Sequence, residues 1–194
     1  MIMNKILSSF LVLLFALFLT NNSKAQFVEA STKSELETSI EQRAKLRNNS
    51  ALKNYPVRNV GPVVMSGRVS DIAVHPDNSR IFYVGYASGG VFKTTNSGNT
   101  MTPIFDHQDA LGIGDIAISK ANHDIIWVGT GENNSSRSSY AGAGVFKSMD
   151  AGETWEYTGL RNTQHIGRII THPTNANIVY AGAASGGFWR SDDG

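Results

Sequence analysis

Cysteine is absent from this 194-residue sequence, so disulfide bonds, thiolate nucleophiles and cysteine metal ligands are excluded. Charge is also scarce. Only 17% of the residues are charged, and 17 Lys and Arg residues nearly balance 16 Asp and Glu residues. A sparse and balanced charge gives no electrostatic footprint for nucleic acid or for an anionic membrane surface. We therefore expect no nucleic-acid partner, and we expect no cofactor.

Long apolar runs are also missing, except for one near the start. Residues 6–19 are apolar apart from two serines, and Lys5 precedes them. The run is shorter than the roughly 20 residues that a membrane span needs, although an anchor is the alternative. Small residues then lead to Ala25, as at a signal-peptidase site. We predict a signal peptide over residues 1–25, cleaved near Ala25, and a secreted, periplasmic or cell-surface protein without a membrane span after cleavage.

Residues 26–55 differ from the rest of the chain because they show helical periodicity. Thr32 and Glu35 have the spacing of a capping box. Leu36, Ile40 and Ala44 then fall on one face of a helix. We predict a helical leader or linker here and assign no function to it.

Glycine is abundant, with 19 residues, and from residue 56 onward the sequence repeats itself. Each copy has three short β-type runs separated by turns, and a fourth run follows a polar turn. A ten-residue insertion within residues 131–143 lengthens the second copy; without it the period is about 44 residues. Four strands in a period of this length predict the blade of a β-propeller. The first runs of the three copies are Val69-Ser70-Asp71-Ile72-Ala73-Val74, Ile113-Gly114-Asp115-Ile116-Ala117-Ile118 and Ile166-Gly167-Arg168-Ile169-Ile170-Thr171.

The polar turn is the most regular element of the repeat. Its fullest copy reads S-x-D-x-G-x-x-W from Ser148 to Trp155. Serine and aspartate favour tight turns because they bond to nearby backbone groups, and Gly152 can supply the positive φ that such a turn needs. Trp155 is placed to return to the apolar side and hold the turn. The positions in the three copies are Thr94, Asn96 and Gly98; Ser148, Asp150, Gly152 and Trp155; and Ser191 and Asp193.

These turns resemble the Asp-box, or BNR, repeat of sialidase-like and sortilin-like β-propellers, including exported bacterial proteins that are often labelled glycosyl-hydrolase-like. The resemblance implies an all-β fold in which residues 56–194 are the N-terminal part of a propeller, with about three blades present. It also implies that the turn residues are structural, and that the chain is a fragment of a protein with six to ten blades.

In such propellers, ligands usually meet the face opposite to the polar turns. The loops expected on that face include the insertion, which breaks an otherwise regular repeat, and loops carry function on rigid scaffolds. We therefore predict ligand-binding roles for Arg68, Glu132, Arg137 and Tyr140. The alternative for the insertion is a disordered polar excursion.

Asp71 and Asp115 occupy the same position on the first strand of adjacent copies. In a propeller this strand lines the central channel, so two carboxylates could serve as the acid and base of a glycosidase. The alternative is that they are solvated or bound to backbone groups. The arginine motif of sialidases is missing, so sialidase activity is not supported. His75-Pro76 and His172-Pro173 are interpreted as turns, and no metal site is expected because no third ligand is evident.

The sequence therefore predicts an exported β-propeller repeat protein that binds a peptide or a carbohydrate through loops on one face. The alternative is a secreted glycoside hydrolase that uses Asp71 and Asp115 on a polysaccharide. The missing motif and the irregular insertion favour binding over catalysis.

Overall fold

The computed structural model describes residues 32–55, 67–134, 139–184 and 186–194. The predicted signal peptide and Arg137 lie outside these residues, so both stay predictions. The chain divides between Leu36 and Glu37 into two units.

Helix α1 spans Lys33–Asn49 and begins with the expected capping box. The Glu35 N–H donates to Thr32 Oγ1 at 3.3 Å, and the Thr32 N–H donates to Glu35 Oε2 at 2.8 Å. The hydrogen bond from the Thr32 backbone is the main reason why the pKa of Glu35 is lowered. Among the described residues, no helix is both long enough and apolar enough to span a membrane.

Three antiparallel sheets follow within the described residues, and each has its strands in sequence order. The first two have four strands and the third has three, so the four-strand repeat is confirmed in two copies. In the first two sheets a register shift marks the first strand, next to Asp71 and next to Asp115. The strands are β1 (Val69–Val74), β2 (Phe82–Tyr86), β3 (Gly90–Thr94) and β4 (Thr102–Pro103); β5 (Ile113–Ile118), β6 (Ile126–Thr130), β7 (Val145–Ser148) and β8 (Glu156–Gly159); and β9 (Ile166–Thr171), β10 (Val179–Ala183) and β11 (Gly187–Ser191).

The hydrophobic core lies between the sheets, in two clusters. The first joins sheets one and two around Phe105 and Phe146, and the second joins sheets two and three around Trp127 and Ile166. Gly129 permits this packing, because a Cβ there would lie 2.4 Å from the Ile166 side chain. Sheets stacked face to face in sequence order are blades, and the described residues form three blades of an incomplete, mostly β propeller.

Antiparallel strands place the loops at two ends of each blade. We call the end that carries the β2–β3 and β6–β7 loops and the links between blades the upper end. The lower end carries the first loop of each blade and the polar turns.

The polar turns at the lower end are held by their own side chains. Ser148 Oγ donates to Asp150 Oδ1 at 2.7 Å and accepts the Gly152 N–H at 2.8 Å. Thr94, Asn96 and Gly98 repeat this pattern in the first blade, and Ser191 Oγ donates to Asp193 in the third. The Trp155 indole N–H donates to the carbonyl of Ile104 at 2.8 Å, which ties the second turn to the preceding blade.

Candidate binding site at the upper end of the blades

The base of the insertion is clamped between the two links that join neighbouring blades. The Gly131 N–H donates to the Gly112 carbonyl at 2.7 Å, and the Gly142 N–H donates to the Gln164 carbonyl at 2.6 Å. Gly131 has a φ of +90°, and a Cβ there would lie 1.9 Å from the Gln164 carbonyl oxygen. Only glycine fits such an approach. The insertion therefore starts from a defined position over the junction of the blades.

Glu132 is the charged group at the centre of this base. Its side chain is fully buried, whereas that of Arg68 is half exposed. Arg68 Nε donates to Glu132 Oε1 at 3.0 Å, and Nη2 donates to the same oxygen. The other oxygen, Oε2, is buried and has no hydrogen-bond partner among the described residues. A buried carboxylate with one unpaired oxygen costs free energy, which makes Glu132 a candidate functional group.

His165 and Tyr140 complete the surroundings of Glu132. His165 Nδ1 lies 2.9 Å from the Glu132 carbonyl oxygen. Because a carbonyl oxygen only accepts, Nδ1 carries the proton and Nε2 is left as an acceptor in the neutral ring. The Tyr140 carbonyl accepts the Glu132 N–H at 3.0 Å, and its side chain is half exposed. Asn133 Nδ2 reaches the Gly167 carbonyl at 3.4 Å. The upper end thus presents a cation, an acceptor nitrogen and an aromatic ring.

The two aspartates of the first strands bind the backbone of the following blade. Asp71 Oδ2 accepts the Ile116 N–H at 2.8 Å, and Asp115 Oδ2 accepts the Ile169 N–H at 2.7 Å. Arg168 Nη1 lies 3.4 Å from Asp115 Oδ1. These bonds match the alternative that the sequence left open, in which the carboxylates are partners for backbone groups. Their catalytic role stays a prediction.

Asp115 has an unusual protonation behaviour. Burial raises the pKa of Asp115 to about 6 from its ordinary 3.8, the Ile169 N–H opposes this rise, and the negative charge of Asp71 adds to it. A carboxyl group that titrates near neutral pH can exchange a proton, which is the property a general acid needs.

The structure thus brings Arg68, Glu132 and Tyr140 together and places Asp71 and Asp115 between the blades. It adds His165, which lies in the link between blades two and three. It also adds Asp109, whose carboxylate pairs with Arg43 at 2.5 Å and with Arg161 at 3.2 Å. The sequence held no signal for this group of three charged residues, because its members lie far apart in the chain.

Three known proteins that are similar to this chain are xyloglucanases or GH74 enzymes. No protein-family model matches the chain. A xyloglucanase from Hypocrea jecorina is 30% identical over 145 residues, which cover 66% of this chain and 17% of that protein. The crystal structure of an ancestral GH74 enzyme superimposes with a TM-score of 0.57 and 26% identity, covering 67% of this chain and 18% of that one. The GH74 xyloglucanase from Xanthomonas campestris gives a TM-score of 0.54 and 23% identity, covering 70% and 21%.

The chain has the fold of a β-propeller, and its sequence is similar to those of glycoside hydrolases, so its class is that of a glycoside-hydrolase-like propeller. It spans about a fifth of the length of the proteins that it matches.

Proposed function

We propose that this chain forms part of a carbohydrate-binding propeller whose ligand lies across the upper end of the blades. The observation that carries the proposal is the Arg68–Glu132 pair, held by the clamped insertion in a chain that is similar to xyloglucanases. Because the relative is a xyloglucanase, we propose a polysaccharide as the ligand in preference to a peptide.

The available groups suit a sugar. Arg68 is half exposed and uses only part of its guanidinium on Glu132, so it has further N–H donors for hydroxyl groups. His165 Nε2 offers an acceptor. Tyr140 is 52% exposed and offers a ring on which the apolar C–H face of a sugar can lie. Pockets for small molecules combine apolar surface with a few placed polar groups in this way. Arg137, in the same insertion, is proposed as a further contact on the sequence alone.

The test is calorimetric titration of the full chain with xyloglucan oligosaccharides. We expect Tyr140→Ala and Arg68→Ala to weaken binding tenfold or more. Tyr55→Ala is the matched control, since Tyr55 is 69% exposed but lies in the leader, and we expect no effect from it. Equal weakening by Tyr140→Ala and Tyr55→Ala, or an unchanged affinity in Arg68→Ala, contradicts the proposal. Preference for an unrelated peptide over the glycan would favour the peptide alternative.

Hydrolysis is a second candidate, favoured by the raised pKa of Asp115 and by the similarity to xyloglucanases. In it, Asp115 would be the acid and Asp71 the base of a glycosidase that cleaves a polysaccharide. Release of reducing ends from xyloglucan, measured for the full chain and for Asp71→Asn and Asp115→Asn, separates the two functions. Loss of turnover in a variant that still folds supports hydrolysis, whereas unchanged cleavage removes these residues from it.

We also propose that the polar turns are Asp-boxes and that the protein is exported. The hydrogen bonds within the turns support their interpretation as Asp-boxes, with a structural role. Export rests on residues 1–25 of the sequence. The N-terminal sequence of the protein recovered from outside the cytoplasm tests it: a start just after Ala25 supports cleavage, and a start at Met1 contradicts it.

A further inference from the structure

Two histidines and one aspartate meet at the lower end, on the side away from the proposed sugar site. His75 and Asp77 lie in the first loop of blade one, and His123 lies in the first loop of blade two. One potential ligand atom from each residue lies within 4.8 Å of those of the other two. His123 Nδ1 is 2.9 Å from Asp77 Oδ2, and the two imidazole rings have centroids 5.0 Å apart at an angle of 78°. From this arrangement we propose a zinc-binding site that joins the first two blades.

The loops that carry these residues have fixed backbones. In blade one the His75 N–H donates to the Ile81 carbonyl at 3.0 Å, and in blade two the Ser119 N–H donates to the Ile125 carbonyl at 2.8 Å. The blades themselves are tied by the bond from the Ile116 N–H to Asp71. The three ligand groups are therefore held close together before any ion binds, which lowers the entropy cost of binding.

The donor set selects a transition metal. Imidazole nitrogens suit zinc and its neighbours, whereas calcium and magnesium prefer oxygen ligands. Tetrahedral zinc with bonds of about 2.0 to 2.2 Å separates its ligand atoms by roughly 3.3 Å. His123 Nδ1 and Asp77 Oδ2, now 2.9 Å apart, would therefore move slightly apart, and ligand atoms at the upper limit of 4.8 Å would move closer. Water would fill the remaining position. Asp77 has a side chain that is 76% exposed and is free to adjust.

Two existing contacts oppose the ion, and the first is the 2.9 Å contact between His123 Nδ1 and Asp77 Oδ2. His75 Nδ1 accepts the Asp77 N–H at 3.2 Å, so zinc must either replace this bond at Nδ1 or bind Nε2 after the ring changes its tautomer. The alternative is a plain surface pair between His123 and Asp77, which would contribute little to stability.

The chain provides its own control in the third blade. His172 begins the equivalent loop there, and its Nδ1 likewise accepts backbone N–H groups, at 3.3 Å from Thr174 and 3.2 Å from Asn175. Among the described residues, three potential ligands converge only at His75, Asp77 and His123. His172 therefore has the same local backbone setting as His75 but is not part of a group of three potential ligands in the described residues.

The experiment is calorimetric titration of the untagged full chain with zinc chloride in a buffer that does not chelate. We expect one zinc ion per chain, no response to calcium, and a rise in melting temperature with zinc, because an ion that binds only the folded state stabilises it. Removing a ligand should weaken binding at least tenfold in His75→Ala and His123→Ala, with His172→Ala unchanged.

Asp77→Asn keeps the proposal testable if a histidine variant fails to fold, since Asp77 is exposed and its replacement is nearly isosteric. It too should lose at least tenfold in zinc affinity. Absence of zinc binding in the unaltered chain overturns the proposal, as does an equal loss in His172→Ala and His123→Ala. Sugar binding at the upper end should be the same with and without zinc, so the two proposals fail independently.

Discussion

The two junctions between blades are built from the same repeat but are completed differently. Between blades one and two, Tyr83 Oη and Lys93 Nζ both donate to the Ala151 carbonyl, at 3.0 and 2.8 Å. Between blades two and three, Lys147 Nζ donates to the Gly194 carbonyl at 3.0 Å, but Trp127 stands in the position of Tyr83. Its indole N–H is buried with no partner among the described residues. The repeat sets the approach of the blades, and single residues decide how well the polar groups are paired.

The packing of apolar side chains is also better at the first junction than at the second. Phe105 is fully buried in the first junction and contacts the rings of Phe146 and Trp155 edge to face, with centroids 5.3 and 5.0 Å apart. In the second junction the position is taken by Leu160, which is only partly buried, next to a half-open cavity of about 190 Å³ that is also bordered by Asp193 and Gly194. We infer that the first junction contributes more to stability.

The largest expected effect tests this inference. Phe105→Ala removes a buried ring from the first junction, and we expect it to lower the free energy of unfolding by about 3 to 5 kcal/mol. Leu160→Ala, beside an existing cavity, should cost about 1 kcal/mol, at the low end for a core deletion. Urea unfolding of the full chain, followed by tryptophan fluorescence, measures both. Equal losses would mean that the two junctions are equally well packed.

Two glycines of the first strands give the next largest contrast. A Cβ on Gly114 would lie 2.1 Å from the Ile166 carbonyl oxygen, so Gly114→Ala must push blade three away and should cost about 1 to 3 kcal/mol. A Cβ on Gly167, at the same position one blade later, would have no neighbour closer than 3.9 Å in the described part of the chain. Gly167→Ala should therefore change the free energy of unfolding by about 0.5 kcal/mol or less. The same urea series measures both, and a cost in Gly167→Ala as large as in Gly114→Ala would contradict the expected clash.

The pH dependence of stability separates the aspartates. The pKa of Asp115 is raised to about 6 in the folded chain. Its contribution to the free energy of unfolding is therefore complete below pH 4 and is lost as the pH rises through 6. Asp115→Asn removes this titration and can still accept the Ile169 N–H. We expect the variant to gain about 1 to 2 kcal/mol relative to the unaltered chain between pH 4 and pH 7, which is part of the free energy that the full pKa shift corresponds to.

Asp150→Asn is the control for that profile. Its hydrogen bonds, first of all from the Thr154 side chain, lower the pKa of Asp150 to about 2, so its contribution is lost only as the pH falls from about 4 through 2. The variant should therefore leave the slope between pH 5 and pH 7 unchanged. Urea midpoints at a series of pH values give both slopes. If Asp115→Asn shows the slope of the unaltered chain, Asp115 does not titrate in this window.

The sequence predicted the blades well because their causes are local. The repeated apolar runs, the glycines and the serine–aspartate turns each act within a few residues, so their period identified the propeller. The site depends on distant contacts. The sequence singled out Arg68 and Glu132 separately, but their pairing across 64 positions was invisible in it. The cluster of His75, Asp77 and His123 was missed for the same reason, because His123 comes close to the other two only when the two blades lie side by side.

The last and smallest predicted loss of stability concerns the Tyr83 hydroxyl, which is present at the first junction and has no counterpart on Trp127 at the second. Tyr83→Phe makes the first junction resemble the second, and it leaves Lys93 as a donor to the Ala151 carbonyl. We expect a loss of about 0.5 to 1.5 kcal/mol, the net value of one hydrogen bond. Burial raises the pKa of Tyr83 to about 12, so in the unaltered chain its contribution is complete below pH 10 and is lost as the pH rises through 12. In Tyr83→Phe that part of the alkaline loss should be missing from urea midpoints measured up to pH 12. A variant with unchanged stability and an unchanged alkaline profile would mean that Lys93 alone satisfies this carbonyl, and the polar difference between the junctions would then carry no energy.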